Sequence, residues 1–199
     1  MITSIKRSLT ANIILVLLAM TGASAAYGGA EAVRWDIIHF NPTTTPATIS
    51  AGGVAFAAAR NPSTLTIRLT GSGTFVAPAS GGTSSAVTGG GTWATFSDGT
   101  MSASGTYVVM GLASWQFANL QTGSLIDLID DGTRANGNAV LRIEYSDGTA
   151  GVLNIGCHGP GAPDGILEGV IATKNFVTYW DGQAPQPGID ADRTIFHLR

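Results

Sequence analysis

The stretch Ile155 to Gly169, IGCHGPGAPDGILEG, carries the chain's only cysteine beside one of its three histidines, and reaches Glu168 after a run of Gly and Pro. A thiol next to an imidazole has the chemistry of a nucleophile and its base, and imidazoles with a carboxylate have the chemistry of a metal shell. Strand parity argues against the first. Val152 to Cys157 alternates so that Leu153, Ile155 and Cys157 share one apolar face. Cys157 is thus expected in the core, where an unpaired thiol behaves as a small hydrophobe. His158 points away or opens the following loop, so any chemistry here rests on His158 and Glu168 across that loop.

The metal reading needs more ligands. His39 ends the first predicted strand and His197 lies in the last. In a closed barrel those strands are often neighbours, so His39 and His197, completed by His158 or Glu168, form the candidate set for a divalent metal. No HxH, HExxH or second cysteine supports it. Histidines held separately by the fold are the simpler expectation, and no cofactor is predicted. A calcium loop is a second candidate. Asp127, Asp130 and Asp131 lead into the oxygen-rich Gly132–Asn138, and Asp190 and Asp192 form another pair. Neither follows the EF-hand order, and turns and caps are the usual work of Asp and Asn.

Aromatic residues give the binding candidates. Trp35, Trp93, Trp115, Tyr145 and Trp180 could line an apolar cavity at a barrel mouth. The competing expectation is that they fill the core. No nucleophile elbow, phosphate loop or dinucleotide fingerprint occurs, which leans away from an enzyme.

The elements that must position these residues are strands. Thr64 to Thr70 alternates without a break, with Leu65, Ile67 and Leu69 on one side. That is the pattern of a half-buried antiparallel strand. Similar runs recur every eight to fifteen residues, among them 34–40, 103–110, 112–118, 138–145, 151–157 and 193–198. The spacing predicts an all-β fold of about eight to ten strands, a single antiparallel β-barrel with a β-sandwich as the alternative. One stretch departs from period two. Ser124 to Gly132 has apolar residues at i, i+1, i+3 and i+4, which suggests one short helix near 124–131, with a strand as the alternative. A loop is expected at 182–187.

Two hairpins share aromatic-Ser-Asp-Gly-Thr, at Phe96–Thr100 and Tyr145–Thr149. Asp-Gly usually makes a two-residue loop. In the second hairpin that loop would set Leu153, Ile155 and Cys157 on the opposite face from Leu141, Ile143 and Tyr145. A three-residue loop, Ser146-Asp147-Gly148, pairs Tyr145 with Thr149 and puts all six on one face, with Gly148 in the left-handed position of a G1 bulge. Gly-Thr-aromatic triplets at 73–75, 91–93 and 105–107 place an aromatic ring two residues beyond a strand glycine. The order Gly-Thr-Trp, hairpin, Gly-Thr-Tyr resembles that of avidin-like barrels over a short stretch of common β-turn chemistry, and assigns no family.

The N-terminus sets the compartment. Lys6 and Arg7 precede the short apolar run Ile13–Met20, and Ala23-Ser24-Ala25 is a small-x-small cleavage site. Residues 1–25 read as a secretory signal peptide. Removing them from the 199 leaves a single β domain of 174 residues, 26–199, with eight basic and thirteen acidic residues and a net charge of −5. No basic stripe serves nucleic acid, and no membrane span is expected in the mature chain. One cysteine makes no internal disulfide, which suits a periplasmic or secreted protein. Both Asn-x-Ser/Thr windows contain Pro, so neither is a glycosylation acceptor. The combined expectation is an exported β-barrel that binds a small apolar molecule or an extracellular protein partner without catalysis. The alternatives are a small secreted enzyme, isomerase- or cyclase-like or metal-assisted, using His39, His158, Glu168 and His197, and a structural component of the cell envelope.

Overall fold

The computed structural model describes residues 30–182 and 193–199, and among them every regular element is a strand. The signal segment 1–25, the Asp190 and Asp192 pair and most of the 182–187 loop lie outside the described residues. In chain order the strands are β1 (Glu31–Asn41), β2 (Thr48–Ala51), β3 (Ala55–Ala59), β4 (Leu65–Leu69), β5 (Ser72–Ala77), β6 (Val87–Ser97), β7 (Thr100–Leu120), β8 (Ile126–Asp127), β9 (Thr133–Tyr145), β10 (Ala150–Cys157), β11 (Gly169–Lys174), β12 (Val177–Asp181) and β13 (Thr194–Leu198). These thirteen outnumber the expected eight to ten, in part because β2 and β8, with four and two residues, are too short to show a period.

The strands form one large mixed sheet in the order β10-β11-β12-β3-β4-β6-β7-β9-β13-β1-β2-β8, with β5 joining β1 to β6 and β9 pairing β10 as well. Every pairing is antiparallel except β2 with β8. The two strands expected at 103–110 and 112–118 are one, the 21-residue β7. It pairs β6 through its first half and β9 from Tyr107 onward, and its register against β9 shifts between Val109 and Gly111, between Leu112 and Ser114, and between Phe117 and Asn119. Each bulge reverses the parity of the residues beyond it, and so the sequence pattern breaks there.

The main core is built on one face of these strands, with Trp35, Phe75, Tyr107, Tyr145 and Phe196 as its largest fully buried rings. β1 and β13 are buried on both faces. Val33, Trp35, Ile37 and Phe196 enter the main core, while Ile38 and Ile195 join a second small cluster with Ile49, covered by Phe40, Leu125 and Ile129.

Leu125 and Ile129 belong to the stretch expected as a helix, and no helix forms there. Ile126 N–H donates to Ala47 O (2.9 Å) and Leu128 N–H to Ile49 O (3.0 Å), so the backbone pairs outward with β2. Asp127 Oδ1 then accepts the N–H groups of Ile129 (3.0 Å) and Asp130 (3.2 Å), a side-chain turn that competes with helix. The apolar spacing is only half buried, since Ile126 and Leu128 are exposed.

The two Asp-Gly hairpins differ. In the second, Tyr145 N–H donates to Thr149 O (2.8 Å), Gly148 has φ +81°, and Leu141 faces Leu153, the expected three-residue register. In the first, Ser97 pairs Thr100 directly, and Asp98 and Gly99 take φ +50° and +78° as a two-residue turn. Its extra residue lies a little further on, where the register shifts between Thr95 and Phe96 so that Trp93 faces Gly105 and Gly91 faces Tyr107.

Candidate functional site

A pocket that combines apolar walls with polar groups lies at the second cluster, on the opposite side of β1 from the main core. Its volume is about 250 Å³. Ile38, Phe40 and Ile49 from β1 and β2, Leu125 from the covering segment and Ile195 from β13 give it apolar walls. Gln121, His158, Glu168, Arg193 and Thr194 supply the polar groups. These come from places far apart in the chain: Gln121 just past β7, His158 just past β10, Glu168 just before β11 and Arg193 just before β13.

Glu168 is 7% exposed. Its Oε2 accepts the N–H of His158 at 2.5 Å and its Oε1 the N–H of Thr194 at 2.8 Å, tying the end of β10 to the start of β13. Burial pushes its pKa from 4.5 up to about 7; the two backbone donors, and the charges of Arg193 and His158, oppose that rise without cancelling it. His158 is exposed and lines the pocket. Its Nδ1 lies 2.8 Å from Ile166 O, and a carbonyl only accepts, so Nδ1 carries the proton in that bond. Gln121 donates from Nε2 to Cys157 Sγ (3.2 Å) and to Ala135 O (3.5 Å), while its Oε1 is buried with no hydrogen-bond partner.

The sequence candidates divide among several places. His158 and Glu168 come together as expected. Cys157 belongs to the main core, 1% exposed, with Sγ donating to Thr194 O (3.2 Å). Burial and the nearby charge of Glu168 push its thiol pKa well above the ordinary value, which makes it a poor nucleophile. His39 is exposed on β1 opposite Ser50. His197 is fully buried, with Nε2 2.8 Å from Asp127 Oδ2. Burial alone would raise Asp127, but His197 and the N–H groups of Asp130 and Ile129 hold it below its ordinary value.

His39, His158, His197 and Glu168 are therefore not assembled as one metal shell. Among the described residues no group of three or more His, Cys, Asp and Glu is placed to hold a metal ion. The calcium candidates also go separate ways. Asp127 binds His197, and Asp131 accepts from Arg199 and Arg34, which hold its pKa down to about 2.

The five aromatic candidates do not line one cavity. Trp35 is fully buried, and Trp115 packs edge-on against Phe196, ring centres 4.6 Å apart. Trp93 and Tyr145 meet at 5.6 Å in another part of the core. Trp180 is exposed, with the Arg60 guanidinium 5.0 Å from its ring centre. Between Trp93 and Tyr145 lies a side chain with no signal in the sequence pattern. Lys174, 2% exposed, holds its ammonium 4.1 Å from the first ring centre and 4.4 Å from the second. It is ion-paired with Asp147 and donates to Thr149 Oγ1 (2.9 Å). Gln121 and Arg193 were missed because a lone Gln and a lone Arg beside loops carry no local signal.

Compared with protein-family models, with curated proteins and with solved structures, the chain matches none.

Proposed function

We propose that this chain is an exported, non-enzymatic binding protein that takes a small molecule of largely apolar body in the pocket between β1, β2, β13 and the 121–129 segment. One observation carries the reading: a recess of about 250 Å³ has Ile38, Phe40, Ile49, Leu125 and Ile195 among its apolar walls and polar groups gathered from four loops and the start of β13. Ligand sites share that composition, apolar lining with few polar groups. Trp35, Trp93, Trp115 and Tyr145 then act as core, and binding falls to Ile38, Phe40, Ile49, Leu125 and Ile195. The β-barrel form accompanies this proposal. It is supported by the pairing order, in which β10, β11, β12, β3, β4, β6, β7 and β9 follow one another by antiparallel pairing and β9 pairs β10 again. Export follows from the N-terminal pattern, and N-terminal sequencing of protein recovered outside the cytoplasm should begin at Ala26.

The pocket is tested by ligand-observed NMR with a set of small apolar fragments against the purified protein and a Leu125→Trp variant. Fragments bind the native protein, and filling the recess with an indole weakens them by about tenfold or more. Equal binding to both proteins, or none to either, rejects the pocket.

A further inference from the structure

We propose that the pocket selects a small primary amine with an apolar body, its ammonium group set between the Glu168 carboxylate and Gln121 Oε1. This rests on the pocket being a binding site and names the chemistry of the occupant. The first observation is Gln121. Its Oε1 is buried and without a partner. The amide cannot turn over to repair this, because Ala135 O would then face an oxygen where it now meets Nε2. A buried acceptor left alone is costly, and an N–H or O–H from a ligand relieves it.

The second observation is Glu168. Each oxygen accepts one backbone N–H and retains a lone pair, and among the described residues no cation is ion-paired with it. The groups that face it are the His158 ring, the Cys157 thiol and, from β13's end, Arg193. Arg193 stands at the mouth, exposed, its guanidinium 5.8 Å from the ring centre of Phe40. Water screens that charge, whereas the carboxyl of Glu168 is shielded from water, so an occupant responds more to the carboxyl. Two acceptors at the polar end select donors and reject a carboxylate. Among donors an ammonium gains most, since it converts a carboxyl disfavoured as an anion into a paired one.

The probes are benzylamine, benzyl alcohol and benzoate, which share one apolar body and differ in the head group. Titration calorimetry of the purified protein at pH 8 should give benzylamine at least about tenfold tighter binding than either other probe. Benzylamine affinity should rise by about tenfold between pH 5.5 and pH 8, as Glu168 gives up its proton, while that of benzyl alcohol stays level. Glu168→Gln should remove the amine preference, and Gln121→Leu should weaken benzylamine and benzyl alcohol alike. The pH series on the native protein carries the same test should Glu168→Gln not fold. Benzoate or benzyl alcohol binding as tightly as the amine, or amine binding that is level with pH, overturns the amine proposal and leaves the pocket standing. No binding by any probe, together with failure of the apolar fragments, overturns both.

Discussion

Lys174 and Glu168 bracket one strand, β11, the acid just before its first residue and the lysine at its last, and both are buried. Their surroundings differ. Lys174 lies against two aromatic faces and reaches Asp147 and Thr149, so its charge is met on every side. Its partner Asp147 keeps 40% of its side-chain surface exposed, and the bond from Lys174, then those from Thr149, hold that carboxyl near 2. Glu168 has two backbone donors and no ion-pair partner among the described residues. A buried charge that is fully met is part of the fold's closure. A buried carboxyl with capacity to spare, facing a recess, has the properties of a site.

That contrast can be broken experimentally. The largest effect is expected at the closed end. Lys174→Ala leaves a void between Trp93 and Tyr145 and should lower stability to urea by about 3–4 kcal/mol. Lys174→Met refills the space and leaves Asp147 in water, so it should cost about 1 kcal/mol or less. Equal losses for the two variants would mean that the charge, and not the filled volume, holds this end together. At the open end the measurement is pH. Burial sets Glu168 at about 7 in the folded chain against 4.5 unfolded, so between those values the folded state binds more protons. Its contribution is complete below about pH 4.5 and is lost as pH rises to about 7, by about 3 kcal/mol in all. Asp131 and Asp147, held near 2, act below that window. Urea midpoints between pH 5 and pH 8 should fall in the native protein and flatten in Glu168→Gln. A native profile level over this range would make Glu168 as fully met as Lys174. A comparably small effect belongs to Gly148, in the loop that presents Asp147. Its φ is +81° and a Cβ there meets nothing within 4 Å, so Gly148→Ala should cost only the left-handed backbone term, about 1 kcal/mol by urea denaturation.

The closed end was more legible in sequence than the open one. Leu141, Ile143, Tyr145, Leu153, Ile155 and Cys157 had to share a face, which placed Gly148 and fixed the loop that carries Asp147. The same reasoning implies an extra residue in the hairpin at 96–100, since Trp93 and Tyr107 are both buried, but parity cannot say where it sits. It lies in the strand, at the shift between Thr95 and Phe96. Lys174 escaped notice because nothing local distinguishes a lysine that folds under two rings from one in water. The pocket was legible only in His158 and Glu168, ten residues apart across one loop. Gln121 and Arg193 reach it by tertiary placement alone. The helix suggested at 124–131 failed for a related reason: an apolar spacing of three and four residues also arises when Leu125 and Ile129 cover another cluster while their neighbours stay in water.

β13 has a consequence for how the chain acquires its shape. It pairs β1 on one side, with Trp35 opposite Phe196, and β9 on the other, with Ala135 opposite the same residue. All five of its residues are buried. β13 is thus a keystone between strands far from one another in the sequence, β1 and β9. Without it in place, β1 and β9 each present a bare edge, the backbone donors and acceptors that invite pairing with another molecule. Such long-range closure is intrinsically slow. The chain is therefore most open to mispairing before these five residues insert.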